Sequence, residues 1–274
     1  MIDPATLTGR WRPFEDRAIF RLSGPDRVRF LNGQVTNDVR KVSPQRSLPA
    51  CLCSIKGKVE ALIWIADLGE SLLIDGELDQ ADWIGQRLDR YLIADDCELL
   101  EETGQWQLIH HFLPETGEPS SRRLAIPGFD RWISQEGAAE TERFAVDRVI
   151  NDAEWDSLAV RSVIPMAGRE ITGNEFPAEL GLDEWAVDFH KGCYLGQEIV
   201  SRIESVGRVK RSLRAASSAS FVGQGSEVRN AVGISGRVTR NFSFSDERLY
   251  SGLVLFEQKA RREQPVEFEH VTPS

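Results

Sequence analysis

Long apolar runs are missing from this sequence. No stretch approaches the roughly 20 residues that a bilayer-spanning helix needs. The opening MIDPATLTGRW has no basic start followed by an apolar core, which argues against a secretory signal. Acidic Asp3 and Glu15 and little serine argue against an organelle transit peptide. The expected compartment is therefore the cytoplasm, with no membrane partner. Several catalytic and binding patterns are absent too: there is no CxxC, HxxxH, GxSxG, Walker-type loop or GxGxxG. Sequence support is thus lacking for a protein-built zinc site, a serine hydrolase and a nucleotide or dinucleotide site. Positive charge is in deficit, with 33 basic against 43 acidic residues and a net charge of −10. A general nucleic-acid binder is usually basic, so no direct nucleic-acid partner is expected. Cysteine is scarce, at four: Cys51, Cys53, Cys97 and Cys193. In a reducing compartment these are free thiols rather than a disulfide frame. Cys51 and Cys53 alternate along an apolar stretch, so a strand would turn both to one face, a pattern that fits core packing better than a metal site.

What is present fits an ordinary globular chain of 274 residues, 41% apolar and 28% charged, with room for one large domain or two to three small ones. AIFRLSG (18–24) reads as a strand closed by Gly24. PDRVRFLNG follows as a helix with Pro25 in its first turn, Gly33 at its end, and Val28 and Leu31 on one face. QVTNDV (34–39) reads as a polar turn. Residues 48–76 read as two strands with turns at Lys56-Gly57 and Leu68-Gly69-Glu70, and residues 78–92 as a helix with Trp83, Leu88 and Leu92 on its apolar side. DCELLEE and WQLIHHF are further strands; the second turns His110 and His111 to opposite faces, as core or surface histidines. This succession predicts an α+β sandwich with a mixed or antiparallel sheet. SRRLAIPGF (121–129) is expected as a short strand. Residues 151–164 are expected as a helix capped by Asn151 or Asp152, with Trp155, Leu158, Ala159 and Ser162 on one stripe. From about residue 212, short strand runs broken by Gly, Ser, Asn and Asp predict a small β-barrel or sandwich. No internal repeat is visible.

Two segments stand out chemically. In RIESVGRVKRSLR five cations (Arg202, Arg208, Lys210, Arg211, Arg214) face one acid, Glu204. That suits an anionic ligand or a docking patch, and equally a solvated strand edge guarded by charge. FHKGCYLGQEIVSR (189–202) sets Cys193 beside His190 and Lys191, between Gly192 and Gly196, ahead of a segment able to start a helix. Neighbouring cations and a helix N-terminus activate a thiol, while a cysteine among apolar residues is also a common core filler. A hydrolase would need a base within reach of the sulfur. His190 is three positions away, and no Asn or Asp orienter is obvious.

Those residues, with others, carry a family resemblance. KGCYLGQEIVSR resembles the Lys-Gly-Cys-aromatic-x-Gly-Gln-Glu motif of the YgfZ-type folate-binding proteins. GPDRVRFLNGQVTNDV, CSIKGKVEALIWI, PAELGLDEWAVDFHKGC and VGISGRVTRNFSFSDERLYSGLVLF resemble that family's other segments, in order and over nearly the whole chain. The wider superfamily includes the glycine-cleavage T-protein, a tetrahydrofolate-dependent aminomethyltransferase. Here Glu60-Ala61 stands in the region of the T-protein's Asp-Asp pair, and Gly196-Gln197 where it usually has Gly-Arg. The resemblance implies a three-domain α+β cloverleaf with a ferredoxin-like middle domain and a small C-terminal β-barrel. Its domains would be 1–48 plus 145–207, then 49–144, then 208–274. It implies a tetrahydrofolate-binding accessory protein for iron–sulfur cluster assembly or repair, whose partners are iron–sulfur client or assembly proteins such as radical-SAM tRNA-modifying enzymes. The alternative is a one-carbon transferase of the T-protein type. The implied working group is Cys193 with Lys191, within a motif completed by Gly192, Tyr194, Gly196, Gln197 and Glu198. For folate, or a one-carbon derivative of it, Gln34, Asn37, Asp38, Glu170, Glu179 and Arg202 are the expected contacts. Each has a plainer alternative: Asn37 and Asp38 closing a turn, Glu179 capping a local segment, Arg202 a surface charge on a helix.

Overall fold

A computed structural model of the protein describes residues 7–15, 17–44, 47–112, 121, 123–124, 128–134, 148–207, 209–246, 249–257 and 269–273. The architecture is α+β, built on one large sheet, one small sheet and one closed barrel. The large sheet has the order β3-β4-β5-β2-β6, from Leu48–Cys53, Val59–Asp67, Ser71–Glu77, Arg17–Ser23 and Glu98–Glu101. All its pairings are antiparallel. The strand β2 near the N-terminus lies between β5 and β6, so this sheet continues across residue 48. The small sheet joins β1 (Trp11–Phe14), β7 (Trp106–Phe112) and β8 (Gly128–Ser134). The barrel runs β10-β11-β12-β9-β13, from Glu227–Asn230, Ser235–Asp246, Leu249–Glu257, Arg211–Ser218 and Glu269–Pro273.

The large sheet is buried on both faces, which explains why LPACLC is apolar throughout rather than alternating. On one face Phe20, Leu22, Ala50, Leu52, Ile63 and Ile74 pack beneath α1 (Arg27–Gln34) and α2 (Ala81–Asp89), against Phe30, Leu31, Ile84 and Leu88. On the other, Cys51, Cys53, Leu62 and Trp64 meet Val160, Ile171, Leu180 and the barrel residues Leu213 and Leu253. Each such buried aliphatic side chain contributes about 1.5–3 kcal/mol. Burial pushes the Cys51 thiol up to about 12 and the Cys53 thiol well above its ordinary value, as suits unreactive core residues. The helix over 152–161, α3 (Asp152–Arg161), starts at Asn151, whose side chain accepts from Glu154 N–H while Glu154 returns the bond to Asn151 N–H.

One strand lies differently from its expected place. Among the described residues of the run expected at 121–129, Ser121 forms an isolated bridge to Gly128, and the strand there is β8, in which Phe129–Trp132 pair with β7. Residues 122 and 125–127 of that stretch, most of 114–142, and Arg208 lie outside the described residues. His110 turns inward to Asp130 at 2.7 Å, and His111 stacks on Phe129 at 4.6 Å. No helix among the described residues is long and apolar enough to cross a membrane.

Candidate functional site

The cysteine motif forms a loop clamped on three sides. Lys191 is buried and donates to three backbone carbonyls, Asn32 O at 2.6 Å, Val35 O at 2.7 Å and Asn37 O at 2.8 Å. Leu195 N–H donates to Gly33 O at 3.2 Å, and Asp188 N–H to Thr36 O at 3.0 Å. Burial pulls Lys191 down to about 8, against the opposing pull of Asp38 and Asp188. On the far side, Gly196 has φ +86°, and a Cβ there would sit 2.4 Å from Ser54 O. Gly57, in the hairpin turn between β3 and β4, has φ +71° and faces Gly196 O, Ile199 and Val200. The Lys56-Gly57 turn and the cysteine motif, far apart in sequence, thus interlock through two glycines with left-handed backbones, of which Gly196 leaves no space for a Cβ and Gly57 only a tight one. Tyr194 is buried behind the loop, and burial raises its phenol. Gln197 opens α5 (Gln197–Val206) four residues after Cys193. The result is a rigid loop that leaves Gly192 and Cys193 exposed at its crest, with His190 exposed beside them.

A second feature is a cavity of ≈ 350 Å³ between the two sheets and α3, lined by Arg12, Phe14, Arg17, Trp64, Glu77, Trp155 and a further run at Ile164–Met166, among others. Phe14 and Trp155 stand edge to face, with centroids 5.0 Å apart. The Arg12 guanidinium lies 5.3 Å from both rings, and that of Arg17 5.4 Å from Trp64. Arg17 bonds Asp75 at 2.5 Å, and Arg123 joins Asp75 at 2.6 Å to Asp130 at 2.9 Å. Burial works against the Asp130 charge, but Arg123 and His110 outweigh it and hold its carboxyl well below the usual range. Buried Arg12 Nε and Arg17 Nη2 have no hydrogen-bond partner among the described residues. Glu77 reaches the cavity edge; burial raises its carboxyl, although Ala167 N–H donates to it at 2.9 Å.

The six expected folate contacts are not among the residues lining this cavity. Gln34 accepts from Arg87 at 3.0 Å. Asn37 donates to Pro49 O at 2.7 Å and accepts from Asp38 N–H. Asp38 caps the 3₁₀ turn Val39–Lys41 and pairs with Arg40 at 2.8 Å. Glu179 accepts from Phe176 N–H and takes both arms of Arg211 at 3.1 Å. Arg202 pairs with Glu198 one helical turn away on exposed α5. Glu170 stands directly behind the cavity wall, paired with Arg240 of the barrel at 2.7 Å. Of these, Asn37 carries the cysteine loop, since its carbonyl accepts from Lys191 at 2.8 Å, together with the carbonyls of Asn32, Gly33, Val35 and Thr36. The cavity residues are missed by motif reading because they come from six separate places in the chain. The one local signal is RWRPF (10–14), where arginines alternate with aromatics. Along β4, Val59 beside the Gly57 turn is five residues, about 16 Å, from Trp64 in the cavity.

No family model matches the chain. It is 26% identical over 226 residues to the tRNA-modifying protein YgfZ of Serratia proteamaculans, covering 73% of this chain and 68% of that one. It is 25% identical over 225 residues to the protein of the same name from Yersinia pseudotuberculosis, with the same coverage. In structure it is similar to the glycine cleavage system aminomethyltransferase T of Bartonella henselae, with TM-score 0.70 over 92% of this chain and 80% of that one. Identity there is 17%, so that likeness is one of fold.

Proposed function

We propose that this chain, YgfZ-like in sequence and T-protein-like in fold, is a cytoplasmic accessory protein that binds tetrahydrofolate or a one-carbon derivative of it. In this reading it supports the assembly or repair of iron–sulfur enzymes that modify tRNA. The observation that carries the folate part is the cavity. Trp64, Trp155 and Phe14 offer flat apolar faces to a pterin and a benzoyl ring, Glu77 offers a carboxylate to ring N–H donors, and Arg12 and Arg17 hold buried N–H groups without partners. A flat heteroaromatic ligand with an anionic tail fits that set of groups. Bound folate would supply one-carbon chemistry; the chain's own residues bind it, orient it and screen it from water.

Cys193 is the proposed contact to a protein partner. Its exposure on a clamped loop suits a group presented outward, and Lys191 holds the loop rather than activating the sulfur. The accessory role is favoured over aminomethyl transfer by the T-protein's Asp-Asp position. Ala61 there is fully buried in the core, and Glu60 is not among the residues lining the cavity. Calorimetry with folinic acid is the direct test: micromolar binding is expected, and no heat at high micromolar ligand overturns the folate reading. In a strain lacking the protein, wild type restores iron–sulfur client activity and Cys193→Ser does not; full rescue by the serine variant removes the role of the thiol. Formation of methylenetetrahydrofolate from an amine donor, lost in Glu60→Gln, would favour the transferase instead.

A further inference from the structure

The wall of the cavity at Val163–Ala167 has an unusual backbone conformation, and a residue of the barrel bonds to it. Val163 is the only non-glycine among the described residues with positive φ, at 53°, a costly region for a β-branched side chain. Immediately after it, Ile164, Pro165 and Met166 line the cavity. Local backbone bonds hold this segment, from Val163 N–H to Val160 O and to Met166 O from the N–H groups of Arg169, Glu170 and Ile171, and four further hydrogen bonds complete its fixing. Ile164 N–H donates to Ala159 O at 2.9 Å, and Ile164 O accepts from Arg240 at 3.0 Å. Met166 N–H donates to Glu170 at 3.1 Å, and Ala167 N–H to Glu77 at 2.9 Å. Glu170 is itself held by Arg240 at 2.7 Å, with the glutamate side chain 0% and the arginine side chain 5% exposed.

Arg240 lies on β11, and the pairing of β11 with β12 shifts register on both sides of it, between Val238 and Arg240 and between Arg240 and Ser243. Such irregularities re-aim a side chain out of the regular alternation. A pair serving only to seat the barrel would be expected to satisfy its own polar atoms. Here Glu170 Oε1 and Arg240 Nε and Nη1 are buried without hydrogen-bond partners among the described residues. Only the atoms that reach the wall are engaged.

We propose that Arg240 is a positioning residue for the cavity: from the barrel, directly and through Glu170, it fixes the strained wall Val163–Ala167 against which the ligand packs. Ligand affinity then depends on a barrel residue that is not itself among the cavity-lining groups. The affinity part rests on the folate reading above; the wall-fixing part does not.

The test compares full-length wild type, Arg240→Lys and Arg240→Met by native-state hydrogen exchange and by titration with folinic acid. In both variants the amides of Met166 and Ala167 exchange at least tenfold faster, the barrel amides of Leu213 and Leu253 keep wild-type protection, and folinic acid binds at least tenfold more weakly. Unchanged exchange at Met166 and Ala167 overturns the proposal. So does equal acceleration at Leu213 and Leu253, which marks a loosened barrel and nothing more. If Arg240→Met does not fold, Arg240→Lys, which keeps the charge but lacks the planar guanidinium, decides by the same comparison. A wild type that binds no folinic acid overturns the folate reading alone, and the exchange data still judge Arg240.

Discussion

Lys191 has three N–H bonds and three backbone carbonyls to receive them, Asn32 O in the last turn of α1 and Val35 O and Asn37 O in the segment that follows it. Its position two residues before Cys193 invites a reading as the cation that activates the thiol. The geometry gives it a different task, because no donor is left over for the sulfur. Replacing it by methionine strands buried carbonyls, each costing about 1–3 kcal/mol when unpaired. Lys191→Met is therefore expected to lower unfolding free energy by about 3 kcal/mol or more in urea titration, and to abolish complementation along with stability. Cys193→Ser, at an exposed site, leaves the unfolding free energy within about 0.5 kcal/mol of wild type. The two glycines of the motif separate in the same way. A methyl group added at Gly192 would meet nothing within 4 Å, and the backbone there has no positive φ, whereas Gly196 has both a left-handed backbone and Ser54 O in the way. Gly192→Ala should be nearly neutral, and Gly196→Ala should cost more than about 1 kcal/mol. Equal effects in denaturation would contradict the glycine interlock.

At the scale of elements, the loop 36–41, the strand β3 and the cysteine loop form one clamp, and its rim is ionic. A hydrogen bond from Arg40 holds the Asp38 carboxyl below its ordinary value of 3.8, and one from Lys41 does the same for Asp188. Both shifts are downward, so the unfolded chain binds more protons than the folded one as pH falls through this range. The stability they contribute is complete above about pH 5 and is lost as pH drops through the folded values. Hydrogen exchange should therefore show the amides of Asp188 and Leu195 losing protection between about pH 5 and about pH 3 faster than those of the sheet core. Asp188→Asn should flatten that dependence. A pH-independent difference between loop and core would show that the ionic rim does not hold the loop. The strand pairing at this scale was only partly legible. Apolar alternation and glycine turns marked most of the strands, but they carry no information about which strand meets which. Partner choice is made by contacts distant in sequence, and β2 enters the large sheet between β5 and β6 for that reason.

For the whole molecule, the cavity and the barrel are coupled parts of one assembly rather than adjacent modules. A ligand that binds only the folded chain raises its stability by about 2.7 kcal/mol at one hundred times its dissociation constant. Saturating folinic acid should accordingly raise the thermal midpoint, with quenching of Trp64 and Trp155 emission. Trp155→Ala should abolish both effects while the unliganded chain remains folded. A shift that survives this change would locate the ligand elsewhere.

The sequence by itself determined the α+β class, a C-terminal run of short strands for a barrel or sandwich, the core reading of Cys51 and Cys53, a helix capped at Asn151 or Asp152 and the motif around Cys193. Each of these is written in local pattern: period, turn residues, caps and a contiguous run of residues. The tertiary structure alone decided that Lys191 spends its three N–H groups on backbone carbonyls and that Asn37, with Asn32 and Val35, supplies them. It alone brought Arg12, Arg17, Trp64, Glu77 and Trp155 around one cavity. Those outcomes depend on which groups compete for a buried cation, a carbonyl or a carboxylate once the chain has closed. That competition is settled by desolvation and hydrogen-bond satisfaction among residues distant in sequence, which no local pattern encodes.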